Sequence, residues 1–276
     1  MASLPTVWMP EYILSGALVG FLVGATGVGG GSLMTPLLTL IFGVPAQVAI
    51  GTDLLFASLT KASGAFALAR RGSIPWQVVA RLSAGSIPAA LLTLAALHTW
   101  HPDAARFAAV VRPLLGSALV LTAGAVLLRG RLQPRALAAG AARLAPAGTS
   151  PLPAAEAPSA LAPTLAVGAV IGSLVTLTSV GAGAIGVIAL FMLYPALAPR
   201  RLVGADIVHA VPLTLVAGLS HASLGTVDWR MLAALLAGSL PAVHAGVVLG
   251  GRLPVETLRR LIALVLLLVG ARLLMN

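Results

Sequence analysis

Apolar positions run in long, nearly unbroken stretches along this chain, and polar residues collect in the short gaps between them. A helix that faces lipid needs about 20 apolar residues, each adding about 1.5 Å of rise. Stretches of that length cover 45–69, 75–97, 104–128, 199–223, 229–250 and 255–275, and each predicts a membrane-spanning helix. Four shorter apolar pieces remain, at 12–26, 32–43, 163–178 and 184–197. As helices they would measure roughly 18–24 Å, too short to cross a hydrocarbon core of about 30 Å comfortably. They form two pairs, each split by a glycine cluster: Gly27-Val28-Gly29-Gly30-Gly31 in the first and Gly181-Ala182-Gly183 in the second.

The pattern occurs twice. Gly16, Gly20, Thr26, Val28, Gly29 and Gly31 match Gly168, Gly172, Thr178, Val180, Gly181 and Gly183 at a constant offset of 152 residues. After one inserted residue the offset becomes 153: Gly51 and Asp53 match Gly204 and Asp206, Gly72 and Trp76 match Gly225 and Trp229, and Gly85–Ala89 matches Gly238–Ala242. Apolar composition makes Ala and Leu coincide by chance, but not Gly, Asp, Trp and Pro in order. The reading is therefore a first transmembrane repeat over 1–128, a polar Arg- and Pro-rich linker over 129–162 with a short helix at 134–144, and a second repeat over 163–276. The fold class is an all-α membrane protein of about ten helical segments, two of its pairs being short broken or re-entrant helices.

Composition agrees. Hydrophobic types make up 59 % of the 276 residues and charged types 9 %, where a soluble domain carries roughly 25 % charged residues. A soluble enzyme, a nucleic-acid-binding module and a disordered tail are excluded on that ground. Residues 1–11 lack a basic n-region, so the first apolar segment is expected to be retained.

The net charge of +10 comes almost wholly from arginine. If each half crosses an odd number of times, the halves are inverted. One face then receives Arg70, Arg71, Arg129, Arg131, Arg135, Arg143, Arg200, Arg201 and Arg252, with Arg81, Arg259 and Arg260 within snorkelling distance. The other receives Arg106, Arg112, Arg230 and Arg272. A parallel repeat would divide the arginines more evenly, so the positive-inside rule favours inversion. The linker is then cytoplasmic and both termini lie outside, in a bacterial-type inner membrane.

Candidate chemistry sits at the glycine clusters and at the few ionisable residues within spans. Backbone that leaves helix geometry at membrane depth must be buried in protein or line a cavity. Half-helices starting at Ser32 and near Ala184 would aim free N–H groups at the breaks, and inversion would bring the two ends together near the midplane as an anion site. The predicted donors are backbone groups of Gly29, Gly30, Gly31, Gly181 and Gly183, with the hydroxyls of Thr26, Ser32, Thr178 and Ser179. The competing reading is that the glycines only allow close helix packing, as expected for Gly16, Gly20 and Gly24.

Asp53 and Asp206 occupy equivalent positions; they read as proton or coupling-ion groups, or as a helix clamp copied by the duplication. Lys61, the only lysine, shares a helix face with Asp53 about 12 Å away, too far for a direct pair. It reads either as an anion ligand or as a snorkelling side chain. His209 adjoins Asp206 on one helix face. Asp53, Asp206, His209 and Lys61 are thus the coupling candidates. With no cysteine and no His-x-x-x-His pair, no metal site and no cofactor are expected. No nucleophile elbow or paired-carboxylate cluster points to an enzyme.

The first half reads Gly16-Ala-Leu-Val-Gly20, Gly24-Ala-Thr-Gly-Val-Gly-Gly-Gly31, Pro36, Ala49-Ile-Gly-Thr52 and Gly72-Ser-Ile-Pro-Trp76, and the second half carries a degraded copy. This resembles the TauE/SafE family of sulfite exporters over nearly the whole chain apart from the linker. The resemblance implies transport of a small sulfur-containing anion such as sulfite, thiosulfate or a sulfonate, coupled to protons. In that family the Gly-Thr pair is commonly followed by a small polar residue, whereas Asp53 follows here. Beyond the lipid bilayer and the anion, a homodimer is the one partner considered. The alternative within transport is a cation or metal-ion carrier using Asp53 and Asp206.

Overall fold

A computed structural model of the chain describes residues 9–26, 31–70, 74–100, 103–143, 161–249 and 255–275. Among them the secondary structure is entirely helical, in ten helices: α1 (Met9–Thr26), α2 (Gly31–Leu40), α3 (Ala46–Arg70), α4 (Trp76–Trp100), α5 (Ala104–Arg143), α6 (Leu161–Thr178), α7 (Ala184–Leu193), α8 (Pro199–Ser223), α9 (Trp229–Leu249) and α10 (Val255–Met275). Six of these, α1, α4, α5, α6, α8 and α9, are long and apolar enough to cross a membrane.

Besides the stretches predicted to span at 45–69 and 255–275, whose helices α3 and α10 are not among these six, two expectations change. The pieces predicted at 12–26 and 163–178 are not short: α1 and α6 each have 18 residues, or about 27 Å. Both begin upstream of the predicted piece, at Met9 and Leu161, and Pro10 and Pro163 sit in the first turn. Proline is tolerated there because the amide it lacks has no helical partner anyway. Only α2 and α7, at 10 residues each, are too short to span. Each broken pair is thus one long and one short helix. The second change concerns the predicted linker helix at 134–144. Residues 134–143 belong to α5, which runs for 40 residues through Arg143, and residue 144 lies outside the described residues. Leu, Arg and Ala are strong helix formers, so the polar stretch continues the helix that precedes it.

The duplicated sequence is reflected in reciprocal packing. α1 of the first half lies against α9 of the second, and α4 of the first lies against α6 of the second. In the first pair Gly16 and Gly20 abut Leu235 and Ser239; in the second Gly168 and Gly172 abut Leu82 and Ser86. Contact positions rise together in both pairs, so the partners run parallel. A methyl group on any of these glycines would strike the neighbouring backbone, which is small-residue helix packing as predicted for Gly16, Gly20 and Gly24.

At the centre the equivalent helices α3 and α8 pack on each other in opposite directions: Gly51 meets His221, Leu55 meets Gly218, and Ser58 Oγ donates to Val211 O at 3.3 Å. Antiparallel contact between equivalent helices agrees with inverted repeats. These two helices hold the buried interior, including Ile50, Leu54, Phe56, Leu202 and Leu213. The outer helices turn Leu14, Leu92, Leu121, Val170 and Val248 outward, as a lipid-facing surface requires. Trp76 and Trp229 each open a helix and are exposed.

Candidate functional site

The second break is the better described. α6 ends at Thr178, and Ser179 turns into the left-handed region at φ 58°. Its amide donates to Val175 O at 2.7 Å, closing the helix. Glycine usually takes this position, and a side chain there costs roughly 1–2 kcal/mol. Gly183 precedes α7 at φ 132°, a backbone conformation in practice reserved for glycine. Between them Gly181 has φ 121°. The resulting turn leaves the first N–H groups of α7 without helical acceptors.

The hydroxyls predicted as donors divide. Thr178 Oγ1 donates to Leu174 O at 2.7 Å and accepts the Val180 amide at 3.1 Å, so it ties the turn to the end of α6. Thr26 Oγ1 makes the equivalent bond to Leu22 O at 2.7 Å. Ser179 is different. Its Oγ is buried and has no hydrogen-bond partner among the described residues. At the first break, Gly31 and Ser32 open α2, while Gly29 and Gly30 lie outside the described residues.

Both carboxylates point at the short helix of their own half. Asp53 accepts a 2.5 Å hydrogen bond from Thr35 on α2. Asp206 places Oδ1 against Gly186 on α7, in the space a side chain there would need. Asp53 is fully buried, and its Oδ1 lacks a partner among the described residues. The Ser179 hydroxyl lies within electrostatic reach of that carboxylate, though not in hydrogen-bond geometry with it. Two orphan polar atoms, one from each half, therefore share a buried space.

Lys61 joins the halves. It is buried, and its Nζ donates to Ala182 O at 3.2 Å, in the break between α6 and α7. The register set by Ser58 and Val211 on antiparallel helices puts Lys61 beside the turn carrying Asp206 and His209. The ammonium is within electrostatic reach of both Asp206 and Asp53. His209 Nε2 meets Ser86 Oγ on α4 at 2.8 Å, while its Nδ1 has no partner among the described residues. The tertiary structure thus assembles Asp53, Lys61, Ser179, Asp206 and His209 around one break.

Three participants escaped the sequence reading. Thr35 had no pattern to mark it beyond its place before Pro36. Gly186 differs from its sequence equivalent, Met34, so the repeat did not mark it. Ser86 belongs to the duplicated Gly-Ser-Ile-Pro-Ala run, and that run was a usable signal.

The family model described as "Sulfite exporter TauE/SafE" matches residues 12–273. The chain is similar to the probable membrane transporter protein YjnA of Bacillus subtilis, with 37 % identity over 261 residues covering 95 % of this chain and 98 % of the relative. The probable membrane transporter protein YdhB of the same organism is 25 % identical over 257 residues, covering 93 % and 96 %. No solved structure matches the chain significantly.

Proposed function

Because the chain belongs to the sulfite exporter TauE/SafE family, we propose that this membrane transporter exports a small sulfur-containing oxyanion, sulfite or a related sulfonate, in a proton-coupled cycle. The observation that carries this reading is Lys61, a buried cation from the first half seated in the helix break of the second. An ammonium beside the positive end of α7 is suited to an anion. The unpartnered Ser179 hydroxyl adds a neutral donor.

Proton coupling follows from charge. With Asp53 and Asp206 both ionised, the cluster with Lys61 sums to −1 and repels an anion. One proton makes it neutral, and a second makes it +1. In a buried site such steps weigh heavily, because the low dielectric strengthens every charge interaction. Binding of an oxyanion and uptake of a proton therefore favour each other. The cation-carrier alternative would set a metal ion against the Lys61 ammonium, which repels it.

In this reading the two halves are inverted repeats that rock against each other around the break, alternating access. The arginine-rich ends of α3, α5 and α8 face the cytoplasm of a bacterial-type cell, and both termini lie outside. The test is uptake of labelled sulfite into proteoliposomes. The reading expects saturable flux above empty vesicles, and it expects competition by a sulfonate. Absence of saturable flux for any sulfur oxyanion would sink it.

A further inference from the structure

At the arginine-poor end of the bundle, two arginines converge where the charge pattern gives no reason for them. Helices α5 and α10 cross at Gly116 and Gly270, which approach closely enough that a side chain on either would meet the other's backbone. That crossing brings Arg112 and Arg272 to one cleft of about 430 Å³, closed on its third side by the turn between α2 and α3. Thr39 and Gln47 supply polar groups, and no acidic residue among the described residues lines the cleft. Neither guanidinium has a carboxylate partner among the described residues, whereas Arg106 at the same end pairs with Asp103 at 3.5 Å.

An apolar groove of about 320 Å³ between α1, α2 and α10 borders this cleft. The two share Leu40. The groove follows α10 from Leu258 to Val269, a rise of about 16 Å. Since α10 as a whole rises about 30 Å, the groove passes the bilayer centre, and its Ile262–Val269 stretch lies within about 15 Å of Arg272, the depth of one leaflet. Arg272 stands one turn beyond, at the level where headgroups begin. Leu261 and Val265 in the groove are half exposed, as a wall facing acyl chains should be.

We propose that groove and cleft together bind one phospholipid with an anionic headgroup. An acyl chain lies along α10, and the phosphate sits between Arg112 and Arg272. Guanidinium forks suit phosphate oxygens, and a headgroup without an ammonium to meet the two arginines favours an anionic lipid over a zwitterionic one. This site is separate from the Lys61 break and does not depend on the transported substrate.

The full-length protein in mild detergent is titrated with phosphatidylglycerol, phosphatidylcholine or inorganic phosphate, and bound lipid is counted by intact-complex mass spectrometry alongside thermal melting. Phosphatidylglycerol is expected to be retained in preference to phosphatidylcholine and to raise the melting temperature. The Arg112→Gln/Arg272→Gln double variant should lose that retention about thirtyfold, and the Arg112→Lys/Arg272→Lys pair should keep part of it. Val265→Trp, which fills the groove and leaves both arginines, should also lower retention. Melting of each variant without lipid shows that it is folded. Equal retention of the two lipids overturns the proposal, as does undiminished retention in the double Gln variant. So does stabilisation by inorganic phosphate equal to that by phosphatidylglycerol, which would mark a free-anion site. A dimer that Val265→Trp dissociates would place a second copy on the groove and overturn it too.

Discussion

Lys61 is the residue on which the proposed chemistry turns. Its ammonium holds a carbonyl oxygen in the opposite half, so its removal subtracts both a charge and a tie between repeats. Lys61→Gln is expected to lower saturable sulfite flux by about tenfold or more, since one charge-assisted contact is worth roughly 1.5–3 kcal/mol; flux per reconstituted protein measures it. Ser179 offers the opposite trade. Ser179→Gly should relieve the left-handed backbone by about 1 kcal/mol and raise the melting temperature. It should also lower flux, because it deletes the orphan hydroxyl near Asp53. A variant that melts higher and transports at the parent rate would remove Ser179 from the site. At this scale the sequence was informative about identity but not about duty. Asp53, Asp206, Lys61 and His209 stood out because ionisable residues are costly within spans. Thr26 and Thr178 looked like ligands, yet their hydroxyls serve the backbone of the preceding turn, which a residue list cannot reveal.

At the scale of elements, the glycines separate into kinds that composition does not distinguish. Gly238 and Gly85 lie where helix backbones touch, against Ile13 and Leu165 respectively. Gly124 in α5 has open space around it. Gly85→Leu and Gly238→Leu should each destabilise by about 3 kcal/mol or more through overpacking. Their similar size would follow from their equivalent places in the two halves. Gly124→Ala should instead stabilise by up to about 1 kcal/mol, the helix-propensity gain. Thermal melting of the three variants checks the contrast. Helix number and order were legible from apolar run length. The starts of α1 and α6 were not, because the apolar runs begin later than the helices, whose first turns hold Pro10 and Pro163. The polar composition of 129–143 likewise concealed a helix that simply continues.

For the molecule as a whole, the proposed orientation has a direct test in a chain that contains no cysteine. Ser223 ends α8, and Ala196 precedes its start; both are exposed, at opposite ends of the bundle. In intact cells an impermeant maleimide should label Ser223→Cys, and should label Ala196→Cys only after permeabilisation. The reverse pattern would overturn the assignment of the arginine-rich face to the cytoplasm. The duplication, the helical class and the membrane environment were determined by the sequence alone. They rest on run length and on repeated residues, which are properties of the chain in one dimension. Only the tertiary structure decided which half supplies which part of the site. Lys61 and Ala182 are 121 residues apart, and no periodicity within either repeat records a contact between them. That pairing arises because α3 and α8 pack antiparallel at the centre, and helix packing is set by side-chain shape across the interface, not by order along the chain.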